Sequence, residues 1–365
     1  MALPYTLDDL LYRMPEVSAS DLHLRIGEPP ILRIHGKLTR LTDLPVLQPG
    51  DTQELMFAIM NEERQERWRE YMEVDLAYEL EGLARFRVNC FKQMGQLGAV
   101  LRLIPIDIQT IDELGLPEVL RAIAMQPRGL VLVTGPTGSG KSTTLAAMVD
   151  ENNRTIRKHI VTIEDPIEFV HEDKRCVVNQ REVGQDTRSF AEALKRVVRQ
   201  APDIILVGEM RDLETIGLAI TAAETGHLVF ATLHTTDAMQ TVDRAIDVFP
   251  PNQQSQIRMQ LAVTLQAVVC QSLLPYKDAA GRVPAFEIML GTHGIRAAIR
   301  EGKTHMLYNM IQAGADDGMI VLDQHLVGLV QEGVVEFEDA LSRSSYPKEL
   351  YMRCGVEPPE GAVVA

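Results

Sequence analysis

The nine residues Gly135-Pro136-Thr137-Gly138-Ser139-Gly140-Lys141-Ser142-Thr143 leave this chain little freedom of architecture. They fit the pattern G-x-x-x-x-G-K-[ST]. An apolar run, Val131-Leu-Val-Thr134, precedes them, and a helix-like stretch, Thr144–Val149, follows. A strand that turns through glycines into a helix aims successive backbone N–H groups at one point, and the helix N-terminus adds positive potential there. Such a loop cradles phosphate. Lys141 can reach the β and γ oxygens of a nucleotide, and the Ser142 hydroxyl can ligate Mg²⁺. A chance match of the fixed positions is expected in about one chain in a hundred of this length, and the flanking strand and helix make it rarer. The segment predicts an α/β fold on a parallel sheet, with ATP and Mg²⁺ as its ligands.

The length, 365 residues, suits two domains. The first hundred residues read as α+β. Ser20–Arg25, Ile31–His35, Val74–Leu80, Ala84–Phe91 and Gly98–Leu103 read as strands, and Thr52–Glu70 as a helix. A linker around Pro105 follows. Apolar strands then alternate with helix-length stretches: Gly129–Thr134, Ile160–Ile163, Ile204–Val207 and His227–Thr232. From Pro251 onward the reading is mostly helical: Asn252–Ser272, Ile295–Arg300, Thr304–Ala313 and Val321–Gln331. The expected divisions are 1–104, a linker 105–116, a second domain 117–350 and a disordered tail 351–365.

Charge and composition narrow the function. Lys+Arg is 36 and Asp+Glu 51, a net charge of −15, which counts against a nucleic-acid binder. No run of about 18 apolar residues predicts a membrane span, and Met1–Tyr5 does not resemble a signal peptide. The cysteines Cys90, Cys176, Cys270 and Cys354 form no C-x-x-C pair. They predict neither a zinc knuckle nor a disulfide framework, and they suit a reducing cytosol.

Hydrolysis requires more than a phosphate loop. Ile160–Ile163 runs into Glu164-Asp165-Pro166-Ile167-Glu168, and Asp203–Val207 into Gly208-Glu209-Met210-Arg211-Asp212. Ligands of open α/β sheets bind beyond the carboxyl ends of strands, so both acids can face a terminal phosphate. The second segment is an unusual Walker B. Gly208 stands where an Asp is usual, which leaves Glu209 to serve the metal through water. A plain helix cap is the alternative for either acid. His234 ends another buried strand. It senses the γ-phosphate or hydrogen-bonds an acid across the sheet tips, or else is a satisfied structural histidine. His227 suits hydrogen bonding at the strand start.

These blocks, in this order, resemble the secretion ATPase superfamily and, within it, the PilT-type retraction motors of type IV pili. The resemblance runs from about Ser20 to about Leu326. It rests on Walker A (Gly135–Thr143), an Asp box (Ile163–Phe169), the atypical Walker B (Gly208–Thr215) and a His box (Thr221–His234). It implies an N-terminal PAS-like domain, a C-terminal RecA-like P-loop ATPase domain with a helical extension, and a homo-hexameric ring. It further implies that Glu164 activates water and that Glu209 holds the Mg²⁺ shell. Arg87 and Arg102, which match family positions, would close over the phosphates. Arg199 and Arg211 are candidates for sensing across a subunit boundary, or else surface ion pairs. The implied partners are an inner-membrane pilus platform and, for some motors, a second retraction ATPase. The implied location is cytoplasmic, against the membrane's inner face.

Extension-type relatives usually carry an extra N-terminal domain and a four-cysteine metal site; neither is expected from this sequence. Gly294–Glu301 resembles the retraction signature A-I-R-N-L-I-R-E but departs from it at Gly294, Ala297 and Ala298. That departure leaves an accessory, PilU-like motor as an alternative. Ala201 stands where the family usually has an acid. As a helix this signature would show Arg296 and Arg300 on one side. Readings of other classes are a nucleic-acid translocase and a nucleotide-dependent scaffold without turnover. Two intact acids argue against the scaffold.

Overall fold

The computed structural model describes residues 3–34, 36–80, 83–104, 107–279 and 281–358. The chain divides into two compact units, Met1–Asp107 with Glu168–Val170, and Ile108–Ile167 with His171–Ala365.

The first unit contains α1 (Leu7–Glu16), β1 (Ala19–Leu24), β2 (Ile31–Ile34), β3 (Lys37–Arg40), α2 (Asp51–Phe57), α3 (Glu62–Tyr71), β4 (Glu73–Leu80), β5 (Ala84–Gln93) and β6 (Gln96–Ile104). Among the described residues its strands form one antiparallel sheet in the order β3-β2-β1-β6-β5-β4. Alternation decides its faces. Phe86, Val88 and Cys90 of β5 and Leu22 and Leu24 of β1 enter a core that α1 closes with Leu10, Leu11 and Met14. Two corrections arise. The helix expected over Thr52–Glu70 is two helices, because the Asn61 side chain accepts from Arg64 N–H at 2.9 Å and starts a new one. Helix α1, opened by a Thr6–Asp9 capping box, and the short, fully exposed β3 have no counterpart in the sequence reading.

The second unit contains α4 (Val119–Ala124), β7 (Gly129–Thr134), α5 (Lys141–Thr155), β8 (His159–Glu164), β9 (Val177–Glu182), α6 (Phe190–Val197), β10 (Ile204–Val207), α7 (Leu213–Glu224), β11 (Leu228–Leu233), α8 (Ala238–Asp247) and α9 (Pro251–Thr264). After these come β12 (Leu265–Pro275), β13 (Arg282–Leu290), α10 (His293–Arg300), α11 (Leu307–Ala313), α12 (Leu322–Gln331), α13 (Phe337–Leu341) and α14 (Pro347–Cys354). The sheet order is β13-β12-β7-β11-β10-β8-β9. Every pairing is parallel except β12 with β13. Strands β7, β10 and β11 are buried throughout, as strands covered on both faces must be. One apolar cluster fills each face of the sheet, and a third, smaller one lies under α12 to α14.

The helix expected over Asn252–Ser272 needs correction. Its helical part ends at Thr264, and Leu265–Ser272 belongs to a strand. A nearly unbroken apolar run suits a buried helix and a buried strand equally. Pairing with β7 on one side and β13 on the other decides for the strand. Within the stretch expected as a linker, Ile111 and Leu116 join the second unit's core, and Pro105 lies outside the described residues. Helix α14 crosses the boundary expected at 350, and residues 359–365 of the expected tail lie outside the described residues. Among the described residues, no helix is long and apolar enough to cross a membrane.

Candidate functional site

The loop Gly135–Gly140 leaves the end of β7 and enters α5. Gly135 has φ 141°, Gly138 φ 77° and Gly140 φ 88°, values that side chains rarely tolerate. Space is also short. A Cβ on Gly135 would stand 2.2 Å from the Gln271 carbonyl oxygen, and one on Gly140 2.8 Å from Gln271 Nε2. Gly140 opens α5 with no side-chain cap, and the helix's first turn carries no acid. The N–H groups and positive end of the helix are thus presented to an anion. Lys141 donates to the carbonyls of Gly135 at 2.8 Å and Pro136 at 3.0 Å, which holds its ammonium over the loop. Pro136, Thr137 and Ser139 form the bend, and Ser142 and Thr143 lie in the first turn of α5.

Sheet order gathers the other motifs. Strands β7, β11, β10 and β8 are consecutive neighbours, all parallel. Their carboxyl ends carry the phosphate loop, His234, Glu209 and Glu164 in that spatial order, although the order along the chain differs. Glu164 accepts from Thr162 Oγ1 at 2.6 Å and from Gln180 Nε2 at 3.1 Å. Glu209 accepts from Arg211 Nη2 at 2.6 Å and bonds His234 Nε2 at 2.8 Å. The Arg211 guanidinium holds the Glu209 carboxyl below its ordinary range, with help from His234, against the opposing effect of burial.

The geometry gives each of the other candidates its contacts. His234 bonds Glu209 across the strand ends. Arg211 is an ion-pair partner of Glu209 from two residues away, and Asp212 is the cap of α7, accepting from Thr215 N–H at 2.8 Å. Arg199 is exposed in the turn after α6, where Ala201 has φ 51°. His227 bonds the Ala222 carbonyl at 2.9 Å, just before β11. Gly208 is a packing requirement. A Cβ there would lie 3.2 Å from both Glu164 Cα and Ile163 O.

Arg87 and Arg102 belong to the first unit. They are direct cross-strand partners on β5 and β6, both exposed. Arg102 Nε donates to Asp21 Oδ1 at 2.8 Å, and Arg33 Nε lies 3.4 Å from Asp21 Oδ2. Burial pushes the Asp21 carboxyl up, but hydrogen bonds from Ser20 and Arg102 outweigh it and leave the group below its usual range.

Two contributors escaped the sequence reading, and a third is placed differently from its neighbour. Gln180 on β9 and Gln271 on β12 meet Glu164 and the phosphate loop through strand pairing, which no local pattern encodes. Arg296, expected on one side of a helix with Arg300, turns inward. It donates to the carbonyls of Gly291 at 2.5 Å, Ala262 at 3.3 Å and Val263, and to Gln266 Oε1 at 3.0 Å. It thereby caps the C-terminus of α9, while Arg300 is exposed.

The sequence profile of the family described as Type II/IV secretion system protein matches residues 18–316. The type IV pilus retraction ATPase PilT of Pseudomonas aeruginosa is 52% identical over 342 residues, 94% of this chain and 99% of that protein. The type IV pilus ATPase PilU of the same organism is 42% identical over 343 residues, 94% of this chain and 90% of that protein. A crystal structure of the pilus retraction motor PilT with bound ADP superposes with a TM-score of 0.90 at 45% identity, covering 95% of this chain and 99% of the other. The ATPase DotB of Legionella pneumophila superposes with a TM-score of 0.77 at 27% identity, covering 93% and 97%. With a full-length match in sequence and fold, this chain belongs to the type II/IV secretion system protein family, in its PilT-type group.

Proposed function

We propose that this chain is an ATPase that drives retraction of a type IV pilus, working as a homo-hexameric ring at the cytoplasmic face of the membrane. One observation carries the reading. Lys141, His234, Glu209 and Glu164 meet at the carboxyl ends of four adjacent parallel strands, in a chain that matches a retraction ATPase along nearly its whole length. In this reading the first unit is PAS-like and the second RecA-like with a helical extension, divided near 104–116.

Lys141 exchanges its loop carbonyls for β and γ phosphate oxygens. Glu164, steadied by Thr162 and Gln180, orients the attacking water and accepts its proton. Glu209, kept ionised by Arg211 and His234, and the Ser142 hydroxyl are oxygen donors that suit magnesium, a hard cation that keeps several waters. Mg²⁺, when bound, neutralises charge on the β and γ phosphates. Arg87 and Arg102, the latter oriented by Asp21, bring cations from the first unit to the phosphates, so that hydrolysis and domain motion are linked. The load is the pilus platform at the inner membrane; nucleic acid is no partner of a chain with net charge −15.

The accessory, PilU-like reading draws on the near-full-length 42% identity to PilU and on the departures at Gly294, Ala297 and Ala298. The 52% identity to PilT favours the principal motor. The test is Lys141→Ala in the native host, with turnover measured on the purified protein. Hydrolysis and twitching stop while surface pili persist. Normal twitching rejects the retraction role, and loss of pili points to extension.

A further inference from the structure

We propose that Gln271 is a positioning residue for the phosphate loop, its carbonyl and its carboxamide together setting the conformation that receives a nucleotide's phosphates. This rests on the reading that the loop binds ATP.

The parallel pairing of β12 with β7 ends with Cys270 opposite Thr134, so Gln271 is the next residue, level with the start of the loop. It is 4% exposed. Its backbone oxygen occupies the place that a Gly135 side chain would need, and its Nε2 the place that a Gly140 side chain would need. Its Oε1 accepts from Thr144 Oγ1 at 2.7 Å, a buried bond to the first turn of α5. The same hairpin reaches the loop once more, where Arg282 Nη1 approaches the Gly138 carbonyl at 3.4 Å. One residue thus touches both ends of the loop and the helix that follows it. Two of the loop's glycines are demanded by Gln271, not only by backbone torsion. The carboxamide is neutral, which lets it lie beside the loop without opposing the phosphates. A carboxylate there would oppose them.

The test uses the full-length oligomer and reads KM and kcat for Mg·ATP, binding of a fluorescent ADP, and Tm. Gln271→Met keeps the volume and removes the bond to Thr144. We expect KM to rise about tenfold, ADP binding to weaken alike, and kcat to stay within about twofold. Thr144→Val should give the same shift, the double variant no further one, and Thr144→Ser should bring KM back relative to Thr144→Val. A lower Tm with unchanged KM, or shifts that simply add, would make Gln271 a packing residue and overturn the proposal. Should Gln271→Met fail to fold, the Thr144 pair decides it by the same criteria. Failure of the wild-type protein to bind ADP would remove the nucleotide reading itself, and this inference with it. Binding by the wild type with unaltered variants would remove only the role of Gln271.

Discussion

Gly208 offers a sharp test of how the two acids are held. Its N–H donates to Ile163 O at 2.7 Å, its carbonyl accepts from Thr232 Oγ1 at 2.5 Å, and the next-but-one N–H, of Met210, donates to Thr232 O at 3.1 Å. The backbone is therefore pinned to β8 on one side and to β11 on the other. A Cβ at 208 would lie 3.2 Å from Glu164 Cα and 3.2 Å from Ile163 O, so these neighbours must give by a few tenths of an ångström. Both are main-chain atoms and cannot swing aside. Gly208→Ala should cost about 1–3 kcal/mol of stability by overpacking. It should also move Glu164. If a misplacement of about 1 Å costs about 100-fold in rate, a shift of a few tenths costs about 3- to 10-fold in kcat. Gly208→Asp, which restores the usual Walker B acid, should do worse, about 10- to 100-fold. It adds bulk, and it sets a second carboxylate beside Glu164, where like charges repel. Steady-state turnover with Mg·ATP, ADP binding and thermal melts on purified protein measure these effects. Wild-type turnover and Tm in Gly208→Asp would refute the steric account.

Further outcomes follow from other contacts. Glu164→Gln should lower kcat by about 100- to 10,000-fold while ADP binding persists; turnover near wild type would show that another group handles the water. Glu287 is buried on β13, accepting from Ala238 N–H at 2.8 Å; burial first, then Asp237 and Asp323, push its carboxyl from 4.5 up to about 7. The folded carboxyl keeps its proton where the unfolded one has lost it. The contribution of Glu287 to stability is therefore fully present below pH 4.5 and is lost, by on the order of 3 kcal/mol, as pH rises to about 7. Tm of wild type minus Tm of Glu287→Gln, followed from pH 5 to 8, should decline; a constant difference contradicts the linkage. Arg296→Ala should lose about 2–3 kcal/mol by stripping the carbonyls that end α9, and Arg300→Ala less than about 0.5 kcal/mol. Equal losses in thermal melts would contradict the capping role of Arg296.

Several local devices of this fold were legible residue by residue, though the caps at Thr6 and Asn61 were passed over. Buried strands such as Gly129–Thr134 and Ile204–Val207 announce themselves by unbroken apolar runs, and the phosphate loop by glycines at fixed spacing. Reading failed where two local answers were equally good. Leu265–Leu274 can be helix or strand by its apolar content, and only pairing with β7, far earlier in the chain, decides. It failed too where a side chain's partner is distant. Arg296 looks like one of a surface pair until α9 ends within its reach.

Chain order alone established that a strand, a glycine-rich turn fit for phosphate and a helix stand within Gly129–Val149, and that acids and a histidine follow later strands. These are properties of neighbours along the backbone, where spacing and torsion act directly. Folding settled the rest. Parallel strands pair by register and burial, not by succession, so His234 came between Lys141 and Glu209, and Glu209 between His234 and Glu164. The same non-local pairing set Gln271 beneath the loop and Gln180 on Glu164, contacts with no trace in any short window of residues.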